Sequence, residues 1–181
     1  LPQWRDLYFK ADIPEGASVE FELCTGDTDG ELDSCSWSDS VDGMRTKVSV
    51  TAQGDCTKDA QCVNIPGKGN GFCSDYGTCQ FIDKPNVLFD ISCADDTKCE
   101  NGLFGAGDYM ISSHCEKTPA AYGYGHCVYH SVPVDIGSTL LSGEDGKLYS
   151  RIRIKLRSNP LGNKTPTLYE WYLTYRCQSA L

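Results

Sequence analysis

Residues 146–177 read GKLYSRIRIKLRSNPLGNKTPTLYEWYLTYRC, and their pattern decides the fold. Arg151, Arg153, Lys155 and Arg157 alternate with Ile152, Ile154 and Leu156. That period of two gives a strand one basic, wet face and one aliphatic, buried face. Residues 168–177 alternate as well. Tyr169, Trp171, Leu173, Tyr175 and Cys177 form the apolar face, opposite Leu168, Glu170, Tyr172, Thr174 and Arg176. Residues 158–167 hold two prolines, one glycine and two asparagines, which suit a connection. The stretch reads as two long strands joined by a turn, and what they pack against lies mostly at the other end of the chain.

Residues 18–23 (SVEFEL) supply a partner, because they alternate in the same way with acids on the wet face. Laid beside residues 151–157, Glu20 and Glu22 face arginines. Each exposed pair of this kind contributes only about 0.2–1 kcal/mol, so such pairs set pairing more than stability. The charge distribution agrees. Residues 147–181 carry seven basic side chains and one acid, Glu170, whereas the remainder carries nine basic and 24 acidic ones.

The whole chain of 181 residues has a net charge of −9, which argues against nucleic acid and anionic membrane as partners. No apolar run approaches a membrane span. No signal peptide is evident at Leu1, so a mature or excised chain is expected. Eleven cysteines imply an oxidising compartment, secreted or at the cell surface.

The remaining strands follow in order. Residues 4–12 (WRDLYFKAD) are a first strand, 13–16 (IPEG) a turn, and 17–25 the acidic-faced strand. A polar loop, 26–40, holds Cys35, and a Cys24–Cys35 bridge is expected to close it. Residues 44–52 (MRTKVSVTA) form another strand, 87–92 (VLFDIS) a further one, and 132–141 lead back to the terminal pair. No 3.6-residue periodicity persists, so no helix is expected. The predicted fold is all-β: an antiparallel, jelly-roll-like β-sandwich of residues 1–53 and 128–181. Residues 54–127 form a disulfide-stapled, loop-rich insertion that lends one sandwich strand near 87–92.

The cysteines group as two, four, four and one: Cys24 and Cys35; Cys56, Cys62, Cys73 and Cys79; Cys93, Cys99, Cys115 and Cys127; and Cys177. Pairing inside each group of four stays open, since four cysteines allow three connectivities. Cys177 is the unpaired candidate. It reads as a buried inert thiol on the apolar face of the last strand, as a bridge to an earlier cysteine, or as an inter-chain bond.

Trp4, then CTGDT at 24–28, DSCSWS at 33–38, YSRIRIKL at 149–156 and PTLYEWYLTY at 166–175 resemble a β-sandwich module of large bacterial extracellular proteins. Cys24 departs from that pattern, which usually has arginine there, and so does the cysteine-rich middle. The resemblance implies a jelly-roll or galactose-binding-like sandwich and no particular reaction.

Several side-chain groupings point to chemistry. Asp27, Asp29, Glu31 and Asp33 alternate around Gly30, a pattern that suits calcium, although Ser38 occupies the position where an EF-hand has its last acid. Asp95, Asp96 and Asp108 are a weaker acidic group. His114, His126 and His130 lie beside Cys115 and Cys127, but oxidised cysteines are poor ligands. No G-x-S-x-G is present, so no acyl-transfer site is indicated. Tyr109, Tyr122, Tyr124 and Tyr129 form a Gly-rich aromatic stretch, the expected contact surface for a protein or glycan. Asn163-Lys164-Thr165 is a glycosylation sequon weakened by Pro166. The expected function is non-enzymatic: an extracellular binding, adhesion or accessory module of a larger parent protein, with calcium as the one implied cofactor. The rival is a self-assembling subunit of an extracellular filament.

Overall fold

The computed structural model describes residues 2–35, 46–83, 86–93, 99, 114–116, 125–129, 132–137, 140 and 146–177. The strands are β1 (Pro2–Asp12), β2 (Ser18–Gly26), β3 (Thr46–Asp55), β4 (Phe72–Cys73), β5 (Thr78–Ile82), β6 (Asn86–Cys93), β7 (His114–Glu116), β8 (Gly125–Tyr129), β9 (Val134–Asp135), β10 (Tyr149–Arg157) and β11 (Thr167–Cys177). A short helix, α1 (Asp29–Asp33), follows β2, and a 3₁₀ turn spans Asp59–Cys62. All strand pairing is antiparallel, in sheets ordered β11-β1-β9, β10-β2-β3-β5-β4 and β6-β8-β7.

The first two sheets face each other across one core. Leu7, Phe9 and Ala11 point inward from β1, Val19, Phe21 and Leu23 from β2, and Val48, Val50 and Ala52 from β3. This is the alternation of a sheet with one covered face. Phe9 and Phe21 meet across the layers with ring centroids 5.2 Å apart. The buried Gln80 side chain adds a polar tie, its Nε2 donating to the Ala11 carbonyl at 2.7 Å. Among the described residues no helix is long and apolar enough to cross a membrane.

The terminal strands do pack on the start of the chain. β10 pairs with β2, placing Glu22 opposite Arg153 and Glu20 opposite Lys155; β11 pairs with β1. They are not neighbours, however, because the loop between them crosses from one sheet to the other. Asn159 holds that loop: its side-chain oxygen accepts from the Asn163 and Lys164 amides at 3.1 and 3.2 Å, and its carbonyl accepts from Gly162.

The acids opposite the basic strand are also less wet than expected. Glu22 is 1% exposed and Glu20 8%, because the stems of Lys47, Arg153, Lys155 and Arg157 close over them. Arg157 grips both Glu20 oxygens, at 2.9 and 3.1 Å.

Two bulges interrupt the β1–β11 pairing. Opposite Thr174, β1 carries two residues, Arg5 and Asp6, and the Asp6 amide donates to the Thr174 hydroxyl at 3.0 Å. In β11 the extra residue is Tyr169. A bulge of one residue reverses which side chains point inward. Leu168 and Leu173 therefore both reach the core, although they lie on opposite faces of a regular strand. Trp171 and Tyr175 keep the side of Leu173, as expected, but they lie at the sheet edge, and together with the bulged Tyr169 and with Cys177 they are exposed, not buried.

The cysteine grouping holds. Cys24 bonds Cys35, and each group of four links first to third and second to fourth: Cys56–Cys73, Cys62–Cys79, Cys93–Cys115 and Cys99–Cys127. Cys177 is the free thiol, and it is exposed, not buried. Two parts of the middle region differ from expectation. β4 and β5 extend the larger sandwich sheet, and the strand near 87–92 pairs in the third sheet with β8 instead of joining the sandwich. Around the Cys56–Cys73 and Cys62–Cys79 bridges, Cys56, Cys62, Cys79 and Phe81 form a small core of their own. Gly71 is required there, because a Cβ at that position would lie 2.3 Å from the Gln80 carbonyl oxygen.

Candidate binding face

β1 and β11 alternate aromatic side chains with polar ones, and their register brings the rings together. Tyr8 lies opposite Tyr172, and the two rings stack at 4.6 Å with 12° between their planes. Trp4 lies opposite Tyr175 in an edge-on pair at 5.7 Å. The bulged Tyr169 reaches sideways to stack on Tyr76 of the disulfide-held segment at 4.9 Å. Tyr76, Tyr169, Trp171, Tyr172 and Tyr175 all remain exposed. They lie on two faces of β11: Tyr172, with its partner Tyr8, points away from the core, whereas Trp171 and Tyr175 share the side of Leu173, and both sets stay open because β11 ends its sheet and no further described strand covers it.

Two hollows border these aromatics. One, of about 270 Å³, lies between β1 and the disulfide-held segment, where Phe9, Phe72 and Tyr76 line it with Lys10, Asp75 and Gln80. The other, of about 360 Å³, is an open groove between the two sheets, lined by Trp4, Ile152, Trp171, Leu173 and Tyr175. Lys10 ion-pairs with Asp75 at 2.7 Å and sits 6.0 Å above the Tyr76 ring. The hydrogen bond to Asp75 pushes the Lys10 pKa up, and the nearby Glu170 carboxylate adds to this. Desolvation by its neighbours pushes the Tyr76 phenol up, so both groups keep their protons at neutral pH. The surface thus offers flat ring faces beside a cation, an anion and neutral donors.

The carboxylates of the acidic loop have partners within the chain. Thr28 caps α1 by accepting from the Glu31 amide, and Glu31 Oε2 accepts from the Asp27 amide at 2.8 Å. Lys147 pairs with Asp27, and Arg151 bonds Asp33 at 3.1 Å and the Leu32 carbonyl at 3.0 Å. Arg151 also faces Asp29 at 3.8 Å, so all four carboxylates have a partner on the cap or a neighbouring cation. Among the described residues only Cys56, Cys62 and Cys73, and Cys93, Cys99 and Cys127, bring three ligand atoms together, and all six are oxidised in disulfides.

Tyr129 ends β8, opposite Asn86, while Tyr109, Tyr122 and Tyr124 lie outside the described residues. So do His130, Asp95, Asp96 and Asp108. His114 and His126 occupy β7 and β8 beside the bridged Cys115 and Cys127. Sequence reading missed the β1/β11 aromatics as a surface. The density of tyrosine and tryptophan was visible, but alternation alone assigned Tyr169, Trp171 and Tyr175 to the core.

No protein-family model, curated protein or solved structure matches this chain.

Proposed function

We propose that the chain is a non-enzymatic binding module of an extracellular or cell-surface protein, and that its ligand is a glycan held on the β1/β11 aromatic face. The observation that carries this reading is the pairing of two exposed tyrosine stacks, Tyr8–Tyr172 and Tyr76–Tyr169, with the Lys10–Asp75 pair at the mouth of a hollow. Sugar rings present flat C–H faces and a rim of hydroxyls. Aromatic planes take the first at low entropy cost, and charged donors and acceptors take the second. Five disulfides suit the oxidising surroundings in which such a module works. The resemblance to bacterial extracellular sandwich modules points the same way.

The test is a glycan-array screen followed by calorimetric titration of the best binder. Saturable binding should weaken about tenfold or more in Tyr76→Ala and in Tyr172→Ala, in line with an aromatic contact of one to two kcal/mol. Tyr149→Ala, on the opposite sheet and 47% exposed, should leave it unchanged. Failure of every glycan to bind, or equal loss in all three variants, overturns the reading.

A further inference from the structure

The sandwich ends in two described edge strands on the same flank, β10 and β11, and the two are protected very differently. An unpaired edge exposes a row of N–H and C=O groups that recruits another strand unless charge, proline or shortness prevents it. β10 carries Arg151, Arg153, Lys155 and Arg157, the kind of guard that keeps strangers away. β11 is eleven residues long, has no proline or lysine, and carries one acid and one base among exposed aromatics.

The placement of those two charges selects the partner. Glu170 and Arg176 lie symmetrically about Leu173, three residues to either side. They share the outer face, because Glu170 is in register with Lys10, Tyr172 with Tyr8 and Arg176 with Gln3. Neither makes an ion pair among the described residues, although Glu170 is close enough to Lys10 to raise its pKa.

We propose that β11 pairs antiparallel with β11 of a second copy of this chain, about a two-fold axis at Leu173. In that register Glu170 faces the second copy's Arg176, and Arg176 faces its Glu170. Trp171 falls opposite Tyr175, Tyr172 opposite Thr174, and Leu173 opposite its own equivalent. Every charge on the strand is then met by its opposite, and aromatic side chains oppose one another, the pairs that stabilise antiparallel strands most. Self-complementarity of this kind defines an isologous, closed dimer. The two three-stranded sheets become one of six strands. Both Tyr8–Tyr172 stacks then lie on the same side of it, so a repetitive ligand is engaged twice. The dimer goes beyond the glycan reading and stands or falls without it.

The experiment is sedimentation equilibrium on the unreduced chain carrying Cys177→Ser, which removes thiol cross-linking. The expected result is a reversible monomer–dimer equilibrium that weakens at high salt. Glu170→Arg and Arg176→Glu should each weaken dimerisation about tenfold or more, since each sets like charges face to face twice. Mixing the two variants should restore association as a heterodimer, which loss of folding in either variant cannot produce. A chain that stays monomeric at all concentrations, forms open polymers, or dimerises with an affinity untouched by both reversals overturns the proposal.

Discussion

Arg153 on β10 sits directly opposite Glu22 on β2 and donates from Nε to a carboxylate that is only 1% exposed. Lys155 reaches the other oxygen of Glu22 at 3.3 Å. This is a buried charge pair on the outer face of the larger sheet, and it fixes where β10 docks. Removing one partner strands the other charge away from water.

Arg153→Met should therefore cost about 3 kcal/mol, at the low end of the range for breaking a buried pair because Lys155 remains. The double change Arg153→Met with Glu22→Leu should recover much of that loss. Urea denaturation of the three proteins checks both, and a single variant as stable as the parent would show that Glu22 is well solvated.

Asp6 and Asp135 are register partners across β1 and β9. Burial, and then the Asp135 carboxylate, push the Asp6 pKa above its usual value. A carboxyl with a raised folded pKa holds its proton more tightly in the fold than in the unfolded chain. Its stabilising share is complete below the unfolded pKa and is lost as pH rises through the folded one. Asp6→Asn should stabilise the protein at neutral pH, by on the order of 0.5 kcal/mol given the partial exposure of the site. The gain should vanish in acid. Denaturation curves at a series of pH values test this, and a gain that persists below the carboxylate range would assign the effect to something other than charge.

Cys62 and Cys79, both almost fully buried, close a separation of 17 residues in the small cystine core. Replacing both by alanine should cost about 3 kcal/mol through the freed denatured chain. Thermal unfolding should show the loss, and the Cys24–Cys35 bridge, which closes 11 residues at the edge of a polar loop, should matter less.

Gly71 meets the Gln80 carbonyl and the Phe81 ring so closely that a methyl group has no room. Gly71→Ala should destabilise by about 1–3 kcal/mol, the range for overpacking. Gly54→Ala serves as a comparison, because open space surrounds that position and only its φ of +78° opposes the change. A Gly71→Ala protein as stable as the parent would mean that β4 and β5 can separate at little cost.

Much of this architecture is legible without coordinates. Period-two alternation marks β10 and β2 because each has one fully apolar and one charged face, and their opposite charges name them as partners. Cysteine proximity predicts the grouping because short loops close at least entropic cost, and the Cys24–Cys35 bridge follows from it. The turn at 13–16 is equally local: Ala17 donates back to Pro14, and Gly16 supplies the φ of +78° that the turn requires.

Local pattern cannot say which face of a strand the rest of the molecule covers. β11 has aromatics on both faces, and the residue at Tyr169 that steps out of register brings Leu168 and Leu173 to the same side. Its exposure follows from its place at the end of a sheet, which depends on where β1 and β10 lie. Glu20 and Glu22 are buried because four long cationic side chains from two other strands converge above them. Composition and alternation thus determined an all-β, disulfide-held chain and the pairing of β2 with β10. Edges, bulges and coverage decided where the aromatic surface lies, because these arise from contacts between segments distant in sequence.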